Sequence, residues 1–124
     1  MKPLKVLYID DEADIREVAT MALELDPSIE VRSESSGAAG LAAAASWRPD
    51  AILLDVMMPL MDGPTTLVHL RLHAATRNVP VIFITARAQS KEIEEFIKQG
   101  ALAVITKPFD PMTLAAQLRG KIAA

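Results

Sequence analysis

The sequence predicts a doubly wound α/β domain, a five-stranded parallel sheet in the order 2-1-3-4-5 with five helices. Two observations carry this expectation. Five short apolar runs alternate strictly with five segments of helical spacing, the pattern of parallel strands joined by helical crossovers. Four of the runs are continuously apolar, as in strands covered on both faces, whereas Ile29-Glu30-Val31-Arg32-Ser33-Glu34 alternates. That half-exposed second strand belongs at an edge, which favours 2-1-3-4-5 over a sequential order.

In chain order, Val6-Leu7-Tyr8-Ile9 forms the first strand and is closed by Asp10-Asp11-Glu12. Ile15, Val18, Ala19, Ala22 and Leu23 follow at helical spacing until Asp26-Pro27 stops the helix. After the edge strand, Ser36-Gly37 opens an Ala-rich helix that runs through Ser46 and breaks at Arg48-Pro49-Asp50. Ala51 to Leu54 is the third strand, delivering Asp55 to its carboxyl end. Pro59 to Gly63 is a loop, and Pro64 suits the first turn of a helix with Leu67, Leu70 and Ala74 on its buried side. Val81 to Ile84 is a fourth strand ending at Thr85. Ser90 is placed to cap a helix that turns Ile93, Phe96 and Ile97 inward, and Gly100 ends it. Leu102 to Ile105 is the fifth strand, running into Thr106-Lys107-Pro108. Asp110-Pro111 offers a cap and first residue for a last helix with Leu114, Leu118 and Ile122 inward.

The 124 residues suffice for one core, and no repeat, linker or low-complexity tail suggests a second domain, so the expected unit is 1–124. With 51% hydrophobic but only 4% aromatic residues, that core must be aliphatic. A net charge of −3 gives no electrostatic reason to hold nucleic acid or an anionic membrane. The absence of cysteine excludes disulfides and thiolate metal sites. Met1-Lys2-Pro3 leads into the first strand without a signal-peptide core, and no apolar stretch approaches a membrane span. The expectation is a soluble, cytoplasmic single domain.

Four strands end in polar residues on one rim: Asp10-Asp11, Asp55, Thr85 and Lys107. Taken singly, each has an ordinary role as a cap, a turn residue or a solvated charge. In the order 2-1-3-4-5, however, the first and third strands are neighbours at the switch point, where ligands of such sheets bind. Three carboxylates there repel one another unless a cation is present. Oxygen-only donors suit Mg²⁺, or Ca²⁺ or Mn²⁺. A Lys and a Thr hydroxyl complete a phosphate cage, and one carboxylate can serve as nucleophile to form an acyl phosphate.

Asp10-Asp11, L-L-D-V-M-M-P-L-M-D-G at 53–63, I-T-A at 84–86 and K-P-F at 107–109 together resemble the receiver domain of two-component response regulators, over essentially the whole chain. The resemblance implies a flavodoxin-like fold and phosphorelay signalling. It makes Asp55 the acceptor of a phosphoryl group from a sensor histidine kinase or a histidine phosphotransfer protein. Asp11, Asp55 and the Met57 carbonyl would ligate Mg²⁺, with Asp10 acting mainly through a bound water. Lys107 would pair with phosphoryl oxygens across a cis bond to Pro108, and the Thr85 hydroxyl would move onto the phosphoryl group. Small Ala86 would leave access, and Gly63 would permit a tight turn. The implied protein is not an enzyme but a phosphoacceptor switch. It would present the surface of helix four, strand five and helix five to a downstream protein, with no direct nucleic acid contact and no membrane insertion. Met1 and the fit to one domain favour a stand-alone regulator.

The chain departs from the family at Val104, where receivers usually carry an aromatic ring that rotates inward on activation. Output is therefore expected to depend more on Thr85 to Ser90 and helix four than on strand five. Met57 and Arg87 hold positions that usually tune the lifetime of the acyl phosphate. His69 and His73 lie four apart on one helix but lack a third metal ligand. The alternative is a receiver-like scaffold that works without phosphorylation, and the complete acid set argues against it. A haloacid-dehalogenase-type phosphatase would want an acid at position 57, and an FMN carrier would want a phosphate loop in place of Asp-Asp-Glu.

Overall fold

Side-chain alternation along five parallel strands explains both the apolar runs and the two-sided core. In a computed structural model, which describes residues 2–123, these strands are β1 (Leu4–Ile9), β2 (Ile29–Glu34), β3 (Ala51–Asp55), β4 (Val81–Thr85) and β5 (Ala103–Thr106). The expectations placed on Met1 and Ala124 lie outside the described residues. The strands form one parallel sheet in the order β2-β1-β3-β4-β5. The helices are α1 (Ala13–Glu24), α2 (Gly37–Trp47), α3 (Gly63–Leu72), α4 (Ser90–Lys98) and α5 (Leu114–Ala123).

Val6, Tyr8, Leu53, Ile82, Ile84 and Ile105 pack with Ala19, Ala22, Leu23, Leu114 and Leu118, so this face of the sheet carries α1 and α5. The alternate residues Leu7, Ile9, Ile52, Leu54, Val81 and Phe83 pack with Ala44, Leu67 and Leu70 under α2 and α3. Every residue of β3 and β4 is buried, whereas β2 is half exposed at the edge. Among the described residues no helix is long and apolar enough to cross a membrane.

The structure corrects several details. Pro111 does not start the last helix: Asp110 accepts a hydrogen bond from the Met112 amide and closes a separate turn, so α5 begins at Leu114. Gln89 rather than Ser90 is the N-cap of α4. Ala74 lies beyond the end of α3 and is exposed. Val18 and Ile97 are each 43% exposed, at the margins of their apolar faces. Helix α4 buries no residue fully; it leans on the core through Phe96, whose ring meets Phe83 edge-on at 4.9 Å.

Candidate functional site

Register brings the acids together. Strand β1 pairs Ile9 with Leu54 of β3, so one further step sets Asp10 beside Asp55. Asp10 keeps the parity of Tyr8 and Asp55 that of Leu53, so both carboxylates lean toward the α1/α5 side. Lys107 follows the parity of Ile105 and arrives on the same side. Its Nζ lies 3.0 Å from Asp10 Oδ2 and 3.2 Å from Asp55 Oδ1. Asp10 is fully buried and Asp55 nearly so, while Asp11 is exposed at the rim.

Capping does not account for these acids. The N-cap of α1 is Glu12, and its side chain makes no cap hydrogen bond. Asp10 instead accepts from the Glu12 amide at Oδ1 (3.0 Å) and from the Tyr8 hydroxyl at Oδ2 (3.1 Å). Three neighbours lie outside the set expected from sequence: Tyr8, Glu12 at 3.8 Å from Lys107 Nζ, and Arg16, which donates to the Asp10 carbonyl at 2.7 Å. The signal for Tyr8 was present, since residues two apart on a strand share a face. Arg16 lies four residues after Glu12, one helical turn on, and that spacing alone does not reveal the link to a strand-end carbonyl.

Thr85 sits apart. It has the parity of Phe83, and its buried hydroxyl accepts from the Arg87 amide at 3.0 Å, folding back on its own loop. The Lys107–Pro108 peptide bond is cis. Gly63 does not have a positive φ; Leu60, at φ 69°, takes the left-handed position in the loop after β3. Gly63 is instead a point of close approach: a Cβ there would lie 2.5 Å from the Asp55 carbonyl oxygen and 2.9 Å from Val56 Cα. His69 and His73 belong to α3 and its C-cap and do not join the acidic cluster.

Burial pushes the Asp55 carboxyl up, the Asp10 charge adds to this, and Lys107 pulls it back; the balance leaves it at about 6. Burial opposes the charge on Lys107, but the hydrogen bond and charge of Asp10, with Asp55, more than offset that and raise it. Lys107 therefore stays an ammonium. Because Asp55 is raised above the usual 3.8, its ionisation opposes folding. That cost is absent below both values, grows as pH rises between them, and is fully present above the folded value. In cation-free buffer at pH 8, Asp55→Asn is thus expected to be more stable than wild type by on the order of 2 kcal/mol. The gain should shrink as pH falls toward 4, which urea denaturation at several pH values measures.

Asp10, Asp11 and Asp55 each offer a carboxylate oxygen within 4.8 Å of the others. Hard oxygen donors carrying three negative charges fit a hard divalent cation, so this cluster could hold one.

Comparison with known proteins agrees with this geometry. The family model described as the response regulator receiver domain matches residues 6–119. The phosphate regulon transcriptional regulatory protein PhoB of Escherichia coli is 36% identical over 93% of this chain and 50% of its own length. The transcriptional regulatory protein CseB of Streptomyces avermitilis is 40% identical over 92% of this chain and 47% of its own. The chain thus spans about half the length of these curated relatives. The solved chemotaxis response regulator CheY4 of Vibrio cholerae superposes with a TM-score of 0.89 at 31% identity, covering 97% of this chain and 99% of that one.

Proposed function

The chain belongs to the response regulator receiver family, the phosphoacceptor switches of two-component systems, and from that premise we propose that Asp55 takes a phosphoryl group from a phosphohistidine. The observation that supports this most is the Asp10–Lys107–Asp55 arrangement at the carboxyl ends of β1, β3 and β5. With its carboxyl at about 6, Asp55 is mostly ionised at neutral pH and needs no base. An Asp55 oxygen attacks phosphorus, the bond to the imidazole nitrogen breaks, and its electron pair stays on that nitrogen. Lys107 turns from the carboxylates to the phosphoryl oxygens, where its charge offsets theirs. Asp10, Asp11, Asp55 and the Met57 carbonyl are the proposed ligands of Mg²⁺, with Asp10 acting mainly through a bound water; bound there, the ion neutralises carboxylate and phosphoryl charge. Met57 and Arg87, two residues after Asp55 and Thr85, are both exposed, and we propose that they adjust the access of water to the acyl phosphate.

The switch follows from the added charge of about −1.5 to −2. To reach a phosphoryl oxygen, the Thr85 hydroxyl gives up the Arg87 amide, which loosens the loop leading to α4. Helix α4 is held lightly, through Phe96 on Phe83, so it can respond. Val104, partly buried, has no ring to swing. Amide shifts on phosphorylation are therefore expected to be largest across 85–98 and smaller on β5. Shifts confined to Val104 and its neighbours would contradict this route.

The proposed partners are a sensor histidine kinase or phosphotransfer protein and a downstream protein, in the cytoplasm, without direct nucleic acid contact. Phosphotransfer tests the reading. Label from a phosphohistidine donor should appear on this chain as an acyl phosphate, released by hydroxylamine. Label stable to hydroxylamine would place it on a hydroxyl side chain and refute the assignment.

A further inference from the structure

Tyr8 is a fully buried polar side chain that the proposed chemistry does not use. Its ring packs among Val6, Leu53, Ile84 and their neighbours, and its hydroxyl reaches out of that apolar cluster to Asp10 Oδ2. Lys107 Nζ contacts the same oxygen at 3.0 Å, and the Glu12 amide holds Oδ1. An ionised carboxylate offers about four acceptor positions. Two at Oδ2 and one at Oδ1 are therefore committed, which leaves a single position on Oδ1.

We infer that Tyr8 is a positioning residue for the cation site: its hydroxyl fixes the plane of the Asp10 carboxylate, dedicating Oδ2 to Lys107 and leaving Oδ1 to the cation or its water. The inference rests on the proposed function and deepens it. A phenylalanine ring fills the same space but donates nothing, so the Asp10 carboxylate loses one of its three partners and its plane is held only by the Glu12 amide and by Lys107, which pulls on Oδ2 unopposed. Partners that orient a metal-binding side chain are typically worth tenfold or more in metal affinity.

Calorimetric Mg²⁺ titration of the full chain, wild type against Tyr8→Phe, tests this, with urea denaturation of each alongside. Wild type should bind, and Tyr8→Phe should bind roughly tenfold more weakly. Phosphorylation of Tyr8→Phe by a small phosphodonor should fall at limiting Mg²⁺ and recover most of its rate at saturation. A purely structural role would lower stability and leave the Mg²⁺ affinity unchanged; that result overturns the inference. Tyr8 is the only tyrosine of the chain, so its ring resonances supply a second readout that needs no variant. They should move as wild type is titrated with Mg²⁺. Should Tyr8→Phe not fold, ring resonances that stay fixed through saturation overturn the inference by themselves. Failure of wild type to bind Mg²⁺ at all would instead bring down the proposed metal site itself.

Discussion

Lys107→Met is expected to destabilise the cation-free protein by about 3 kcal/mol, because it leaves two buried carboxylates facing each other without their shared ammonium. The Lys107 side chain is only 15% exposed and lies within 3.2 Å of both acids, so solvent screens the pair weakly. Lys107 also holds the Asp55 carboxyl down against burial and Asp10. Without it that carboxyl rises further, and a larger fraction is protonated and unable to attack at neutral pH. The loss of one charge at the transferring phosphoryl group should cost a further factor of roughly 100 to 1000 in rate. Mg²⁺ should restore much of the stability, since a cation supplies the missing charge, but little of the rate. Urea denaturation with and without Mg²⁺, and phosphorylation time courses on the same samples, separate the two. Stability equal to wild type in the absence of Mg²⁺ would contradict the electrostatic account.

Gly63→Ala is the second large effect. The added methyl would sit 2.5 Å from the Asp55 carbonyl oxygen and 2.9 Å from Val56 Cα, both backbone atoms that cannot swing aside. The amide of Gly63 also donates to the Val56 carbonyl at 2.8 Å, so the loop cannot simply open without losing that bond. Relief requires moving the peptide that carries Asp55 or the start of α3, with a stability cost of about 1–3 kcal/mol. A shift of the order of 1 Å at the proposed nucleophile can cost about 100-fold in rate, so phosphorylation should fall steeply as well. Gly120 provides the control. A Cβ there meets nothing within 4 Å, and it lies inside α5, so Gly120→Ala should stabilise by about 0.5–1 kcal/mol and leave phosphorylation unchanged. A Gly63→Ala protein as stable and as active as wild type would show that the close approach is not a constraint.

Periodicity carried most of the architecture. The alternating Ile29–Glu34 segment sat at the sheet edge, as its half-polar pattern demands, and the strand order followed from it. Asp10, Asp55 and Lys107 were legible because each closes an apolar strand on the same rim, and strand parity then brings the three together. The orientation of Thr85 was not legible. Its hydroxyl accepts from the Arg87 amide of its own loop, a local bond that strand spacing does not reveal. Nor did the sequence reveal why residue 63 must be glycine. The turn it was expected to make falls to Leu60, and the real constraint is a backbone from another segment passing 2.5 Å away. The late start of α5 is similar, since Asp110-Pro111 reads equally well as a helix cap or as the turn that forms. Tyr8 reads as one more apolar strand residue, although its spacing from Asp10 puts the hydroxyl and the carboxylate on one face.

The claim that Asp55 is the phosphoacceptor is tested most directly by intact mass after incubation with Mg²⁺ and a small phosphodonor, on wild type and Asp55→Asn in parallel. Wild type should gain one phosphoryl group and Asp55→Asn none. An unmodified wild type, or an Asp55→Asn protein that gains the same mass, would contradict it.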